Sequence, residues 1–214
     1  KPGAKTISLK EEEKRVIPII KLINKTFKKI IISVDTFRSE IAEKSLNEGA
    51  SIINDISGGD LDKNIYQISY KYKAPYIMMH MNGVPSNMQN NPKYENINHD
   101  IIKDFTSKID SAEKKGVCDI IIDPGFGFGK TIQHNYQILN NLKLYTVLKK
   151  PILVGISRKS MIYKLLKTDP SKALNGTTSL NTIALINGAN ILRVHDVKEA
   201  KEVIKLYSFL KENV

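Results

Sequence analysis

The residues with the clearest capacity for chemistry lie in the stretch Asp123-Pro124-Gly125-Phe126-Gly127-Phe128-Gly129-Lys130. Three isoleucines, Ile120, Ile121 and Ile122, precede it and fit a strand buried on both faces. Pro124 ends that strand, because proline has no N–H for a ladder and restricts the residue before it. Glycine at 125, 127 and 129 lets backbone approach a ligand closely, and Phe126 and Phe128 add two rings to the same loop. The outcome is one carboxylate at a strand's carboxyl end beneath a glycine loop, which outlines a binding site. An ordinary strand-to-helix turn with a buried capping Asp is the plainer alternative. Two phosphate-binding loops are excluded. Gly129-Lys130-Thr131 ends like a P-loop, but the glycine that motif needs five positions before Gly129 is replaced by Pro124. The dinucleotide fingerprint Gly-x-Gly-x-x-Gly does not match glycines spaced two and two.

Similar polar residues close other apolar runs. Lys29–Thr36 reads as a strand ending in Asp35, and Ala50–Ile56 as a strand carrying Asn54. Pro75–His80 ends in His80, Pro151–Ile156 is followed by Ser157-Arg158-Lys159-Ser160, and Asn190–Asp196 carries Arg193 and His195. Between these runs apolar residues recur at helical spacing. Val16, Ile20, Ile23 and Phe27 mark a helix over 10–28, and a short helix closes at Gly49. Leu61, Ile65, Ile68 and Tyr72 mark another. A turn-rich loop through Gly83, Pro85 and Pro92 leads to the longest helix, Tyr94–Lys115. One helix is expected around Ile138, Leu142, Tyr145 and Leu148. A helical region broken near Asp169-Pro170 follows, and Val197, Ala200, Val203, Tyr207 and Leu210 mark the last helix. Strands alternating with helices imply a parallel sheet with right-handed crossovers. An open sheet gathers its ligand groups at one switch point. Here every strand ends in candidate chemistry, which points to strands in a ring, a (β/α)8 barrel with one ligand over its mouth. Such a barrel needs two strands more than the six read here, and these are expected before Lys1.

The composition is that of a globular α/β domain: 214 residues, 41% hydrophobic and 26% charged. Without repeats or a linker, residues 1–214 read as one domain. The charge of +11 has a plain reading as lysines on solvated helix faces and a functional one as attraction of an anionic partner. Nucleic acid is disfavoured, since there is no zinc-finger spacing and no basic run interleaved with aromatics. The single cysteine, Cys118, excludes an internal disulfide and fits a reducing compartment. No apolar run approaches the ~20 residues of a membrane span, and nothing resembles a signal peptide.

Ser33-Val-Asp-Thr36, Asn54-Asp-Ile56, Met79-His-Met81, the Asp123–Lys130 stretch, Ser157-Arg-Lys-Ser160 and Arg193-Val-His-Asp196 occur in the order and spacing of dihydropteroate synthase. The chain resembles that family over nearly its whole length. The resemblance implies a pterin-binding (β/α)8 barrel of which this chain supplies strands three to eight, with Lys1-Pro-Gly-Ala4 near the end of the second loop. It implies a transferase of folate biosynthesis that joins 6-hydroxymethyl-7,8-dihydropterin pyrophosphate to p-aminobenzoate, giving 7,8-dihydropteroate and pyrophosphate. It further implies sulfonamides as competitors, Mg2+ as cofactor with its associated Asn upstream of Lys1, a cytoplasmic location and a homodimer. No metal ligand is assigned within the chain.

Carried over motif by motif, Asp35, Asn54, Asp123 and Lys159 would hold the pterin, with Asp35 and Lys159 closest to catalysis. Ile56, Met79, Phe128, Leu153 and Gly155 would line its pocket, Arg193 and His195 would hold pyrophosphate, and Ser160 with the Lys159 stem would border aminobenzoate. Residue chemistry agrees. A pterin's amidine-like edge offers two parallel N–H donors to an acceptor-only carboxylate such as Asp123. The forked guanidinium of Arg193 suits phosphate oxygens. The plain alternatives are Asp35 as a helix cap and Asn54 as a partner for loop backbone. His80 is expected to be structural, Arg158 to pair with a carboxylate, and Tyr94 and the loop lysines to face solvent. Lys1 stands where the family usually has Arg, which exchanges a planar fork for a point charge. Two other functions remain open here: a pterin-binding methyltransferase-type barrel, and a non-catalytic pterin-binding remnant.

Overall fold

The computed structural model describes residues 7–83, 88 and 92–213. Its elements alternate from the start: α1 (Leu9–Thr26), β1 (Ser33–Asp35), α2 (Ser39–Asn47), β2 (Ile52–Asp55), α3 (Ile65–Tyr72), β3 (Tyr76–Met79) and α4 (Ile97–Glu113). The second half runs β4 (Ile120–Asp123), α5 (Ile132–Asn140), a 3-10 helix (Leu142–Leu148), β5 (Leu153–Val154) and α6 (Ser160–Tyr163). A 3-10 turn (Pro170–Lys172), α7 (Leu174–Ile186), β6 (Ile191–Leu192) and α8 (Val197–Glu212) complete it. β1 to β4 form a parallel sheet in sequence order, and β5 pairs in parallel with β6. A parallel bridge from Ile122 to Ile152 joins the two. The six βα units are those of a (β/α)8 barrel.

Register decides which side chains share a face. Asp35 lies beside Asn54, Asn54 beside Ile77, and Met79 beside Asp123. Side chains alternate along a strand, so Asp35, Asn54, Met79, Asp123, Leu153 and Arg193 all fall on the inner face. The alternate residues Ile53, Tyr76, Met78, Ile120, Ile122 and Val154 point outward into one core with Phe105, Ile101 and Ile138 of the helix layer. Ile122 and Met78 are fully buried there, so truncating either to Ala should cost about 2–5 kcal/mol. Val34 packs separately with Ile20 and Ala50, using the helix face expected from the spacing in 10–28.

Three expectations need correction. The strand read over 29–36 pairs only from Ser33 to Asp35, and Ile30 and Ile31 are exposed. Its neighbour starts late, because Ser51 and Ile52 both donate to the Ile32 carbonyl and the ladder begins there. The helix expected around Ile138–Leu148 breaks at Asn141, where Leu144 turns back to the Asn141 carbonyl and the chain tightens to 3-10. Ile138, Leu142 and Tyr145 still reach the core. On α8 the expected apolar face buries Ala200 and Val203 but leaves Val197 and Leu210 exposed. Lys1 and Pro85 lie outside the described residues.

Candidate active site

The inner-face residues converge at the carboxyl ends of the strands. Asp123, 7% exposed, sits at the end of β4 and accepts the Gly125 N–H at 2.8 Å through Oδ1. Its Oδ2 has no hydrogen bond among the described residues. Burial raises its pKa, opposed by Lys159, the Gly125 N–H, Lys130 and Arg193. The glycine loop folds back over the end of β3. Gly125 has φ +71° and a Cβ there would stand 2.0 Å from the His80 carbonyl, while Gly129 has φ +64° and would meet the Asn82 carbonyl at 2.5 Å. Only glycine fits either position. The loop is pinned at Gly127, whose N–H donates to Asn135 on α5 at 2.7 Å, and at Gly129, whose carbonyl accepts Tyr94 Oη at 2.9 Å.

Lys159 precedes α6 and reaches under the loop. Its Nζ donates to the Phe126 carbonyl at 2.5 Å and lies 5.1 Å from the Phe128 ring centroid, a cation–π contact. Burial lowers its pKa to about 8, with Asp123 pulling the other way and Arg193 adding to the depression. Phe128 and Ile56 pack on the buried methionines Met79, Met81 and Met88, giving the site an apolar wall separate from the main core. Leu153 is buried on the inner face of β5, and Gly155 lies beside Arg193.

Asp35 and Asn54 form the other side. Asn54 Nδ2 donates to Asp35 Oδ1. Asp35 can only accept, so the amide orientation of Asn54 is set and its Oδ1 is left buried without a partner. A buried acceptor without a donor is rare in a native structure and costs about 1–3 kcal/mol. The residue itself stands on the inner face, in register with Asp35. Asp35 caps no helix: Arg38 stands at that position before α2, without a side-chain cap. The backbone around the pair is fixed from behind. The fully buried Asp55 accepts Ser57 N–H, Ser57 Oγ and Gly59 N–H at 2.8 Å each and Tyr76 Oη at 2.7 Å. Beyond β1, Glu12 of α1 accepts Thr36 Oγ1 at 2.6 Å and the Arg38 guanidinium.

Arg193 crosses the mouth, its Nη2 donating to Asp35 Oδ2 at 2.7 Å. This pair ties the end of β6 to the end of β1, and both side chains are about half exposed. His195 is held two residues on, where Ser157 Oγ lies 3.2 Å from its N–H and 3.0 Å from Nδ1. Arg158 is forked onto Asp196 at 2.9 and 2.8 Å, the carboxylate partner expected for it. Ser160 opens α6 beside Lys159.

The structure therefore brings Asp35, Asn54, Asp123, Lys159 and Arg193 to one mouth, with Ile56, Met79 and Phe128 as its wall. Tyr94 departs from expectation: it is half-buried, stacks edge-on against His134 and holds the Gly129 carbonyl, because the loop needs a donor there. Sequence reading named Ser157 and Lys130 without giving them a role, and missed Asn135. Ser157 follows an apolar strand in the same way as the other strand-end polar residues, which was signal enough. Nothing in the sequence linked Asn135 to Gly127.

Three comparisons with known proteins agree on the family. The model of a family described as pterin binding enzyme matches residues 1–195. The dihydropteroate synthase of Escherichia coli (strain K12) is 40% identical over 208 residues, 96% of this chain and 73% of that protein. That of Synechocystis is 41% identical over 209 residues, 96% of this chain and 72% of that protein. Among solved structures, Yersinia pestis dihydropteroate synthase with a sulfonamide drug complex superposes with TM-score 0.94 at 36% identity, covering 100% of this chain and 77% of that one. Xanthomonas albilineans dihydropteroate synthase in complex with 7,8-dihydropteroate gives 0.88 at 29% identity, covering 98% and 77%.

Proposed function

The chain belongs to the pterin-binding enzymes, among the dihydropteroate synthases, and from that premise we propose which of its residues carry the reaction. The reaction is a transfer in folate biosynthesis: the methylene carbon of 6-hydroxymethyl-7,8-dihydropterin pyrophosphate passes to the nitrogen of p-aminobenzoate, and pyrophosphate leaves. Asp123 accepts the amidine-like edge of the pterin through the oxygen that Gly125 leaves open, and Asn54 Oδ1 accepts a further ring N–H. The observation that carries this assignment is the orphaned Asn54 Oδ1 on the same inner face as the acceptor-only Asp123. Lys159 donates to the ring carbonyl and ring nitrogen, while Phe128, Met79, Ile56, Leu153 and Gly155 bound the ring. Ser160 and the Lys159 stem border aminobenzoate, where sulfonamides compete.

Arg193 and His195 hold the pyrophosphate. The Arg193 guanidinium is engaged by Asp35, an exposed pair worth little in water. A pyrophosphate brings several charges and prefers the same fork. When Arg193 turns to it, Asp35 is released to face the methylene carbon. The C–O bond breaks with its electron pair leaving on pyrophosphate, and Asp35 stabilises the positive charge that develops on the pterin. The aminobenzoate lone pair then forms the C–N bond, and its proton passes to solvent.

Magnesium enters this proposal only as a companion of the pyrophosphate. Among the described residues no three His, Cys, Asp or Glu side chains converge on a metal. These residues form no magnesium cage, so no step is routed through the ion. We further propose a cytoplasmic homodimer. The single Cys118 suits a reducing compartment, and exposed Leu206, Phe209 and Leu210 on α8 offer apolar surface for a second copy. Among the described residues no helix is long and apolar enough to cross a membrane. The deciding experiment measures pyrophosphate release. It should require both substrates together, whereas pterin binding without release would point to a binding module instead.

A further inference from the structure

Lys130 ends the glycine loop and takes no part in the reading above, yet it is 4% exposed and no carboxylate lies within ion-pair distance of it among the described residues. Its Nζ has three neighbours: the Phe128 carbonyl at 2.9 Å, the His80 carbonyl at 3.3 Å and His80 Nδ1 at 3.0 Å. An ammonium has three N–H donors and no acceptor, so donors and acceptors match one to one when Lys130 is charged and Nδ1 of His80 is bare. One of these acceptors belongs to the glycine loop and two to the residue that follows β3. The same His80 carbonyl is the atom that a Cβ at Gly125 would strike. Lys130 therefore closes the contact that only glycine at 125 permits.

We propose that Lys130, seated on His80, is a positioning residue for the pterin: its ammonium clasps the glycine loop to the end of β3 and so sets Phe128 and Asp123 for the ring. The inference rests on the pterin reading of the site. Charge supports the geometry. Burial lowers the Lys130 pKa to about 7, with Asp123 and Asp104 raising it and Lys159 and Lys108 lowering it further. His80 is held well below its ordinary range, first by burial and then by Lys130 and Lys108, which keeps Nδ1 free to accept. His134 on α5 is also lowered, by burial and by Lys130. A neutral Lys130 keeps two N–H donors for three acceptors, and Asp123 loses a nearby positive charge. The clasp loosens as pH rises through about 7, before Lys159 titrates near 8.

The test titrates 6-hydroxymethylpterin into the protein and its K130M variant from pH 6 to 9, and follows hydrogen exchange of residues 125–129 at pH 6 and 8.5, corrected for intrinsic rates. Expected are at least tenfold weaker pterin binding by K130M at pH 6, faster exchange of its loop, and an unchanged aminobenzoate KM. The unsubstituted protein should lose affinity in two steps, of which K130M keeps only the one near 8. K130M affinity within threefold at pH 6 with unchanged loop protection overturns the inference alone. Failure of the unsubstituted protein to bind the pterin overturns the reading of the site and the inference with it. If K130M does not fold, the unsubstituted protein decides: a fivefold or greater loss of loop protection at pH 8.5 supports the clasp, and constant protection refutes it.

Discussion

Asp123 and Lys159 are a carboxylate and an ammonium that share a buried mouth without a direct hydrogen bond between them, each turned to backbone on one side. Removing either leaves a ligand group facing an unmatched partner. Loss of a hydrogen bond to a charged group costs about 1.5–3 kcal/mol, so Asp123→Ala and Lys159→Ala should each weaken pterin binding roughly ten- to a hundredfold. Affinities within threefold of the parent protein for both variants, measured by calorimetry, would remove the assignment. Arg193 makes a different prediction because its partner is Asp35 and not the ring site. Arg193→Ala should weaken the pyrophosphate-bearing pterin at least tenfold more than the bare hydroxymethyl pterin. Equal losses for the two ligands would mean that Arg193 serves the closure of β6 against β1 instead.

Among the elements, the glycine loop is the one whose sequence dictates its shape most strictly. At Gly125 an alanine meets two obstacles: a left-handed backbone costing about 1–2 kcal/mol, and a Cβ 2.0 Å from the His80 carbonyl. Gly125→Ala should lower the melting temperature and abolish pterin binding. A variant that melts as the parent does and binds pterin within threefold would show that the loop need not lie on β3. The existence of this loop, the strand before it and its carboxylate were legible because proline and glycine constrain backbone regardless of context. So was the ring of strand-end polar groups, since alternation along a strand fixes which residues share a face. What stayed hidden has a common cause. Ser157 beside His195, Asn135 beneath Gly127, Tyr94 on the Gly129 carbonyl and Lys130 on His80 are contacts between segments brought together only by the fold. The tightening of the chain after Asn141 was equally invisible, because Leu142 and Tyr145 keep apolar spacing through a 3-10 helix and still reach the core.

At the scale of the whole molecule, the buried Lys130 and the half-buried Lys159 set function and stability against each other in pH. Lys130 and Lys159 titrate near 7 and 8 in the folded protein, because burial opposes their charge, and near 10.5 when unfolded. Between those values the unfolded chain holds more protons than the native one, so these two groups make stability rise with pH. Below about 7 their cost is complete and constant. His80 adds a slope of the same sign lower down: its folded pKa lies well below 6.5, so stability falls as pH drops below that value. Asp123 and Asp55 act in the opposite sense, since burial raises them above 3.8, and their contribution falls as pH rises through their folded values. The net charge of +11 also lessens as lysines titrate, which raises stability without reference to any one residue. The parent slope is therefore a mixture, and the informative quantity is the difference between parent and variant. Melting temperatures of the parent, K130M and K159M proteins should be recorded from pH 6.5 to 9.5. The parent should rise more steeply than either variant across that window, while its pterin affinity falls. A parent-to-variant difference that stays constant with pH would show that these lysines keep ordinary pKa values in the fold, and that the alkaline loss of binding has another origin.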